Sequence, residues 1–107
     1  MNYRIFTGKI KAFSLTKGQP DIASFLDAVG IDTGQVYLAE QVHGDGVAEI
    51  TDKSVLITDT RYPGVKMIAG VDALITDKPG IALIIRTADC VPVMIFDPKN
   101  KVILTAS

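Results

Sequence analysis

The sequence has one cysteine, one histidine and no tryptophan among its 107 residues. A single cysteine excludes an intramolecular disulfide, which suits a reducing compartment, so we expect a cytoplasmic protein. The formal net charge is −1 and there is no basic stripe, so nucleic acids and anionic membranes are not expected partners. The longest apolar runs, 81–85 and 91–96, are too short to span a bilayer, and the N-terminus lacks the apolar segment of a signal peptide.

Hydrophobic residues make up 48% of the chain, which is enough for the core of a single domain. Apolar residues at helical spacing predict one helix over 20–29, with Gly30 at its C-terminal end. The remaining patterns predict strands at 2–7, 10–15, 36–42, 47–50, 66–69, 72–76, 81–87, 93–96 and 101–106. Residues 51–64 are predicted to form a loop or irregular hairpin, and Gly70 a β-bulge.

These elements predict an α/β (α+β) fold with a mixed, mostly antiparallel sheet and few helices. The chain ends at Ser107, directly after an apolar run, whereas domains usually end in polar residues. We therefore expect residues 1–107 to form a single, incomplete domain. With so little helix to cover it, a sheet face stays exposed, and a homodimer is a hypothesis that follows from composition alone.

The segment 86–92, Arg-Thr-Ala-Asp-Cys-Val-Pro, places polar groups between two apolar strands. Asp89 must be exposed, paired or functional there, because a buried carboxylate without a partner is costly. Arg86 would either neutralise Asp89 or bind a phosphate or carboxylate through its planar guanidinium. Cys90 is either a small buried hydrophobic residue or a reactive thiol at a strand end.

The histidine lies in a second polar segment, Gln41-Val42-His43-Gly44. A histidine at a strand end serves either structure or function. Asp72 begins an apolar strand, as a turn residue or as a carboxylate of a site. Cys90 and His43 would supply a nucleophile and its base, or two of the three protein ligands that a catalytic zinc requires. The residues alone leave both alternatives open.

Three segments together, in this order and spacing, resemble one known family. They are Gln-Val-His-Gly at 41–44, Val-Asp-Ala-Leu-Ile-Thr at 71–76 continuing to 83, and Arg-Thr-Ala-Asp-Cys-Val-Pro-Val at 86–93. The chain resembles the multicopper polyphenol oxidoreductase or laccase-domain family, also called the YfiH or peptidoglycan editing factor family. The resemblance implies a YfiH-like, cysteine-hydrolase-like fold.

The resemblance also implies a site. His43 and Cys90 would bind zinc, or alternatively copper, with a histidine that the family carries directly after the strand matching 101–106. Its members act on purine nucleosides and phosphate, which would be the small-molecule partners. We expect Arg86 and Gln41 to bind substrate, and Asp89 and Asp72 to transfer protons.

Four functions are therefore weighed. The first is zinc-dependent phosphorolysis of adenosine or inosine, with adenosine deamination in some family members. The second is copper-dependent phenol oxidation, although one thiol and one imidazole poorly suit multicopper chemistry. The third is metal-free hydrolysis by a Cys–His pair. The fourth is an inactive partial domain, because the third zinc ligand is absent from these 107 residues.

Overall fold

The computed structural model describes residues 3–7, 10–14, 22–86 and 92–107. Within these ranges the chain forms one α-helix, α1 (Ile22–Ala28), a 3-10 helix at Thr33–Gln35 and ten strands. The strands are β1 (Tyr3–Thr7), β2 (Ile10–Ser14), β3 (Val36–Ala39), β4 (Val47–Glu49), β5 (Leu56–Ile57), β6 (Lys66–Ile68), β7 (Ala73–Thr76), β8 (Ala82–Ile84), β9 (Val93–Asp97) and β10 (Val102–Ala106). No helix in the described ranges is long and apolar enough to cross a membrane.

The strands form one hairpin and two four-stranded sheets. β1 and β2 pair antiparallel. The first sheet has the order β5-β6-β3-β8, in which β3 runs parallel to both β6 and β8. The second has the order β4-β7-β10-β9, in which β4 and β7 are parallel and the other pairs antiparallel. This architecture confirms the prediction of a mixed α/β fold with few helices.

The hydrophobic core joins the two sheets. Ala39 and Ile68 come from the first sheet and pack with Leu74 of the second, and Ile50, which follows β4, completes the cluster. All four side chains are almost fully buried. β3 pairs with β6 on one edge and β8 on the other, and Val36, Leu38 and Ala39 are buried, so it provides a fixed base for the residues that follow it.

Helix α1 ends as its sequence predicts. The Ile31 N–H donates to the Leu26 carbonyl at 2.8 Å, and the Gly30 N–H donates to the Asp27 carbonyl at 3.1 Å. Gly30 has a φ of 76°, the left-handed conformation that this pattern of C-terminal bonds requires. The predicted start at Pro20 lies outside the described residues.

Two predictions about strands are wrong. Gly70 does not form a bulge, because β6 and β7 belong to different sheets and Gly70, with a φ of 74°, lies in the turn that connects them. The strand predicted at 81–87 is described only as β8, and it is half-buried. Among the described residues β8 pairs only with β3 at the edge of its sheet, and its half-buried side chains lack the full cover on both faces that an all-apolar strand usually has.

Gly64→Ala is expected to lower the free energy of unfolding by about 2 kcal/mol. Gly64 has a φ of 82°, and a Cβ there would lie 2.9 Å from Thr33 Oγ1. Left-handed backbone alone costs an alanine about 1 kcal/mol. Urea denaturation measures the loss.

Gly30→Ala is the matched control for this prediction, because Gly30 has a similar φ of 76° with nothing within 4 Å of the added Cβ. We expect it to lose about 1 kcal/mol from the backbone alone. Equal losses in the two variants would show that the contact with Thr33 costs nothing.

Candidate functional site

Three strand ends meet at the side chain of Gln41. Its Oε1 accepts the Arg86 N–H at 2.8 Å, while its Nε2 donates to the Arg86 carbonyl and, at 3.2 Å, to Ser107 Oγ. Gln41 follows β3, Arg86 follows β8, and Ser107 follows β10. Because β3 and β8 are parallel neighbours, their carboxyl ends share one edge of the sheet. We call the contacts among Gln41, Arg86 and Ser107 the Gln41 junction.

Arg86 closes the end of β3. Its Nη2 donates to the Ala39 carbonyl at 3.1 Å and to the Glu40 carbonyl at 2.7 Å. The guanidinium also lies 5.5 Å from the centre of the Tyr62 ring, a cation–π arrangement. These bonds satisfy carbonyl groups that leave the sheet, so Arg86 has a structural task in addition to the predicted binding of substrate, which stays a prediction.

Asp72 fixes the backbone of the histidine segment. It immediately precedes β7, is 5% exposed, and accepts the His43 N–H through Oδ1 and the Gly44 N–H through Oδ2, both at 2.9 Å. Its own N–H donates to the Gly46 carbonyl at 3.0 Å. We call residues 40–46 the histidine loop.

Further bonds hold the histidine loop against the turn between β6 and β7. The Gln41 N–H donates to the Val71 carbonyl at 2.9 Å, and Glu40 Oε1 accepts the Gly70 N–H at 2.8 Å. A Cβ at Gly46 would lie 3.1 Å from the Gly70 carbonyl oxygen. Gly46 is therefore needed for close approach to the protein's own backbone.

His43 itself is exposed on this anchored loop. Gln41 and His43 have φ values of 64° and 61°, which are uncommon for residues other than glycine. Two left-handed residues cannot continue a β-ladder, so β3 ends at Ala39 and the strand predicted over 36–42 is too long. Such conformations persist where the surroundings fix them, as Asp72 does here.

The structure thus brings Gln41 to Arg86, and Asp72 to the backbone of His43. Cys90 and Asp89 lie outside the described residues, so their predicted roles stay untested. Within the described ranges there is no group of three or more His, Cys, Asp and Glu side chains able to hold a metal. The contacts of Ser107 and Glu40 were missed, because they depend on how distant strands pair and no local pattern marks them.

The loop between β5 and β6 carries the ion pair of this region. Asp59 accepts hydrogen bonds from Arg61, including one of 2.6 Å from Nη2, and the side-chain bonds lower the pKa of Asp59 to about 2. The charged contact is therefore present above this pH and is lost as the pH falls toward 2.

Arg61→Ala is expected to raise the pKa of Asp59 toward its ordinary value of 3.8. The backbone N–H of residue 61 still donates to the carboxylate, so the return is incomplete. Carbon-detected NMR titration of the Asp59 carboxyl measures both values. An unchanged pKa in the variant would contradict the assignment to the guanidinium.

The fold and the junction define a mixed α/β domain with a polar cluster at the shared end of three strands. Residues 19–106 match the family described as multi-copper polyphenol oxidoreductase laccase. The chain belongs to this family, which confirms the resemblance drawn from its three motifs.

Curated relatives carry names from purine metabolism. A purine nucleoside phosphorylase of Streptomyces coelicolor is 37% identical over 79 residues, which is 74% of this chain and 29% of that protein. One from Bacteroides thetaiotaomicron is 58% identical over 38 residues, 36% of this chain and 14% of that protein. An adenosine deaminase from an unknown prokaryotic organism is 29% identical across 88% of this chain and 44% of that protein. The chain thus spans less than half the length of these relatives.

Two solved structures share the fold. YlmD from Geobacillus stearothermophilus has a TM-score of 0.64 at 26% identity, and the Bacillus licheniformis hypothetical protein YfiH has a TM-score of 0.61 at 30% identity. Each similarity covers 78% of this chain and 30% of the other. The predicted YfiH-like fold is confirmed.

Proposed function

We propose that this chain supplies His43 and Cys90 to a zinc site in an enzyme that cleaves purine nucleosides with phosphate. The observation that carries the proposal is the Gln41 junction, which places Arg86 beside the start of the histidine loop. Arg86 precedes Cys90 by four residues, and Gln41 precedes His43 by two. Four extended residues span about 13 Å, so the length of the chain permits Cys90 to approach His43. The names of the relatives support the substrate class.

The donor set suits zinc, because imidazole nitrogen and thiolate sulfur are its usual protein ligands. His43 is exposed, so its ring is accessible, whereas both oxygens of Asp72 already accept backbone N–H groups. The third ligand in this proposal is the histidine that the family carries directly after the strand matching β10. Ser107, the residue after β10, is hydrogen-bonded to Gln41, so the C-terminal end of β10 lies at the same junction.

The residues of the chain divide the remaining work. Zinc would supply Lewis acidity to the reaction. We propose Asp89 for proton transfer. Gln41 and Arg86 hold the two ligand-bearing segments together, and any substrate contact of Arg86 would add to its bonds with the Ala39 and Glu40 carbonyls.

Copper-dependent phenol oxidation is the second candidate, since the description of the family names that activity. Multicopper chemistry uses several histidine-rich sites, and this chain has one histidine. The resident metal therefore separates the two candidates.

The experiment combines metal analysis with an activity assay of purified protein extended past Ser107 to include the family's third histidine. We expect about one zinc per chain by mass spectrometry and phosphate-dependent release of hypoxanthine from inosine. Cys90→Ala and His43→Ala should lose both. Val42→Ala is the matched control, because Val42 lies in the same loop and is 49% exposed; it should retain both.

Other outcomes overturn the proposal. Bound copper with phenol oxidation would favour the second candidate, and full hydrolytic activity in strong chelator would favour a metal-free Cys–His pair. A folded protein that binds no zinc and releases no base would indicate an inactive domain.

A further inference from the structure

We infer that Asp72 is a positioning residue, whose buried carboxylate sets the backbone of the histidine loop and thereby the place of the His43 imidazole. This role replaces the predicted proton transfer by Asp72. The inference rests on the proposed function where it concerns metal, and on the described contacts where it concerns the backbone.

The carboxylate of Asp72 is buried. Asp72 is among the few buried polar residues of the described ranges, and a buried carboxylate is costly unless it is hydrogen-bonded. Its two oxygens face two successive backbone N–H groups, of His43 and Gly44, each at 2.9 Å. This side chain is therefore placed to hold backbone.

The two oxygens of the Asp72 carboxylate match the two backbone donors in number and charge. Each oxygen accepts one N–H, so both positions require an acceptor. Asparagine has the same shape but would turn an NH₂ group toward one of the two N–H groups. Hydrogen bonds to a charged acceptor are also stronger than neutral ones. Asp72→Asn therefore changes the function of the side chain with little change in its volume.

The carboxylate of Asp72 holds the backbone of His43 in a left-handed conformation. His43 has a φ of 61°, which a residue with a Cβ adopts at a cost in free energy. The bonds to Asp72 offset this cost and keep an exposed residue in one backbone state. Without them, we expect the loop to sample extended conformations that direct the imidazole elsewhere.

Asp72 is itself attached to a buried strand. Asp72 directly precedes β7, whose Leu74 is fully buried in the core between the sheets. The Asp72 N–H is itself bonded to the Gly46 carbonyl. The exposed loop is thus anchored to a buried strand, as precise placement of a metal ligand requires.

Asp72→Asn is the test variant, and Thr76→Val is its matched control. Thr76 is also buried on β7, and its Oγ1 accepts the Lys78 N–H, so the control removes a buried acceptor at the end of the strand opposite Asp72. In metal-free Asp72→Asn, the amide protons of His43 and Gly44 should exchange at least about 10-fold faster than in the wild type. Thr76→Val should leave these two rates unchanged.

Metal binding gives the second readout. Loss of a group that supports a ligand typically weakens metal affinity by roughly 10–100-fold, and we expect a loss of this size for zinc in Asp72→Asn. The visible spectrum of the Co²⁺-substituted protein should also shift in Asp72→Asn and stay unchanged in Thr76→Val. A purely structural loss of stability would not alter the spectrum of the folded fraction.

The outcomes separate the inference from the proposed function. A folded Asp72→Asn variant with unchanged amide exchange and zinc affinity overturns the inference. If the wild type binds no zinc, the proposed function fails, while the amide rates still test the role of Asp72. If the variant does not fold, NMR couplings across the hydrogen bonds decide in the wild type, and their absence between the Asp72 carboxyl carbon and both amide nitrogens overturns the inference.

Discussion

Leu74→Ala is expected to remove a large share of the free energy of unfolding of the domain. Leu74 is fully buried and packs with Ala39, Ile50 and Ile68, so its removal opens a cavity where the two sheets meet. A buried leucine truncated in this way costs about 3–5 kcal/mol, and a small domain has only about 5–15 kcal/mol in total. Urea denaturation followed by circular dichroism measures the change.

Leu56→Ala deletes the same atoms from a side chain that is 49% exposed on β5. We expect this control to lose less than about 1 kcal/mol, because surface truncations leave no cavity. A similar loss in both leucine variants would show that the cluster around Leu74 is not the main core of the domain.

Arg86→Ala should lower the free energy of unfolding by about 2–4 kcal/mol. The variant removes the donors to the Ala39 and Glu40 carbonyls at a half-buried position, and unsatisfied buried carbonyls cost about 1–3 kcal/mol each. Arg86→Lys should recover only part of the loss, because one ammonium group does not reproduce the guanidinium geometry. Thermal and urea denaturation give the two values.

Arg61→Ala is the control for the contact with Tyr62, because it removes a similar cation–π contact and keeps the bonds of Arg86 to the backbone carbonyls. Both guanidinium groups lie over the Tyr62 ring, at 5.4 Å for Arg61 and 5.5 Å for Arg86. The Arg61 side chain is 67% exposed and pairs with Asp59, so we expect a loss below about 1 kcal/mol. Equal losses in the two alanine variants would assign the effect to the tyrosine contact.

Local sequence patterns predicted the elements that depend on neighbouring residues. The strands predicted at 93–96 and 101–106 correspond to β9 and β10, which the structure pairs antiparallel. Asp97 accepts the Asn100 side chain at 2.7 Å, which lowers the pKa of Asp97. Pro79 followed by Gly80 is typical of the centre of a type II turn, and Gly80 has the positive φ that this turn requires.

Features that depend on long-range pairing did not follow from sequence. The first residues of the histidine loop, 40–42, were predicted as the end of a strand, because no local pattern indicates that Asp72 fixes His43 in a left-handed conformation. Residues 93–95 form the strand that was predicted, but the exposure of about half of each side chain did not follow from their apolar character. Apolar composition indicates that a segment is suited to a strand, whereas the burial of its side chains depends on which elements pack against it.

The distances along the chain between the partners of Gln41 bear on the order of folding. Gln41 lies 45 residues from Arg86 and 66 residues from Ser107. Contacts between such distant residues form only after large loops have closed, which is entropically costly and slow. Hairpins such as β9–β10 need no such closure. We therefore expect the junction to assemble late, so that the ability to hold a metal is acquired in the last stage of folding and is among the first properties lost on unfolding.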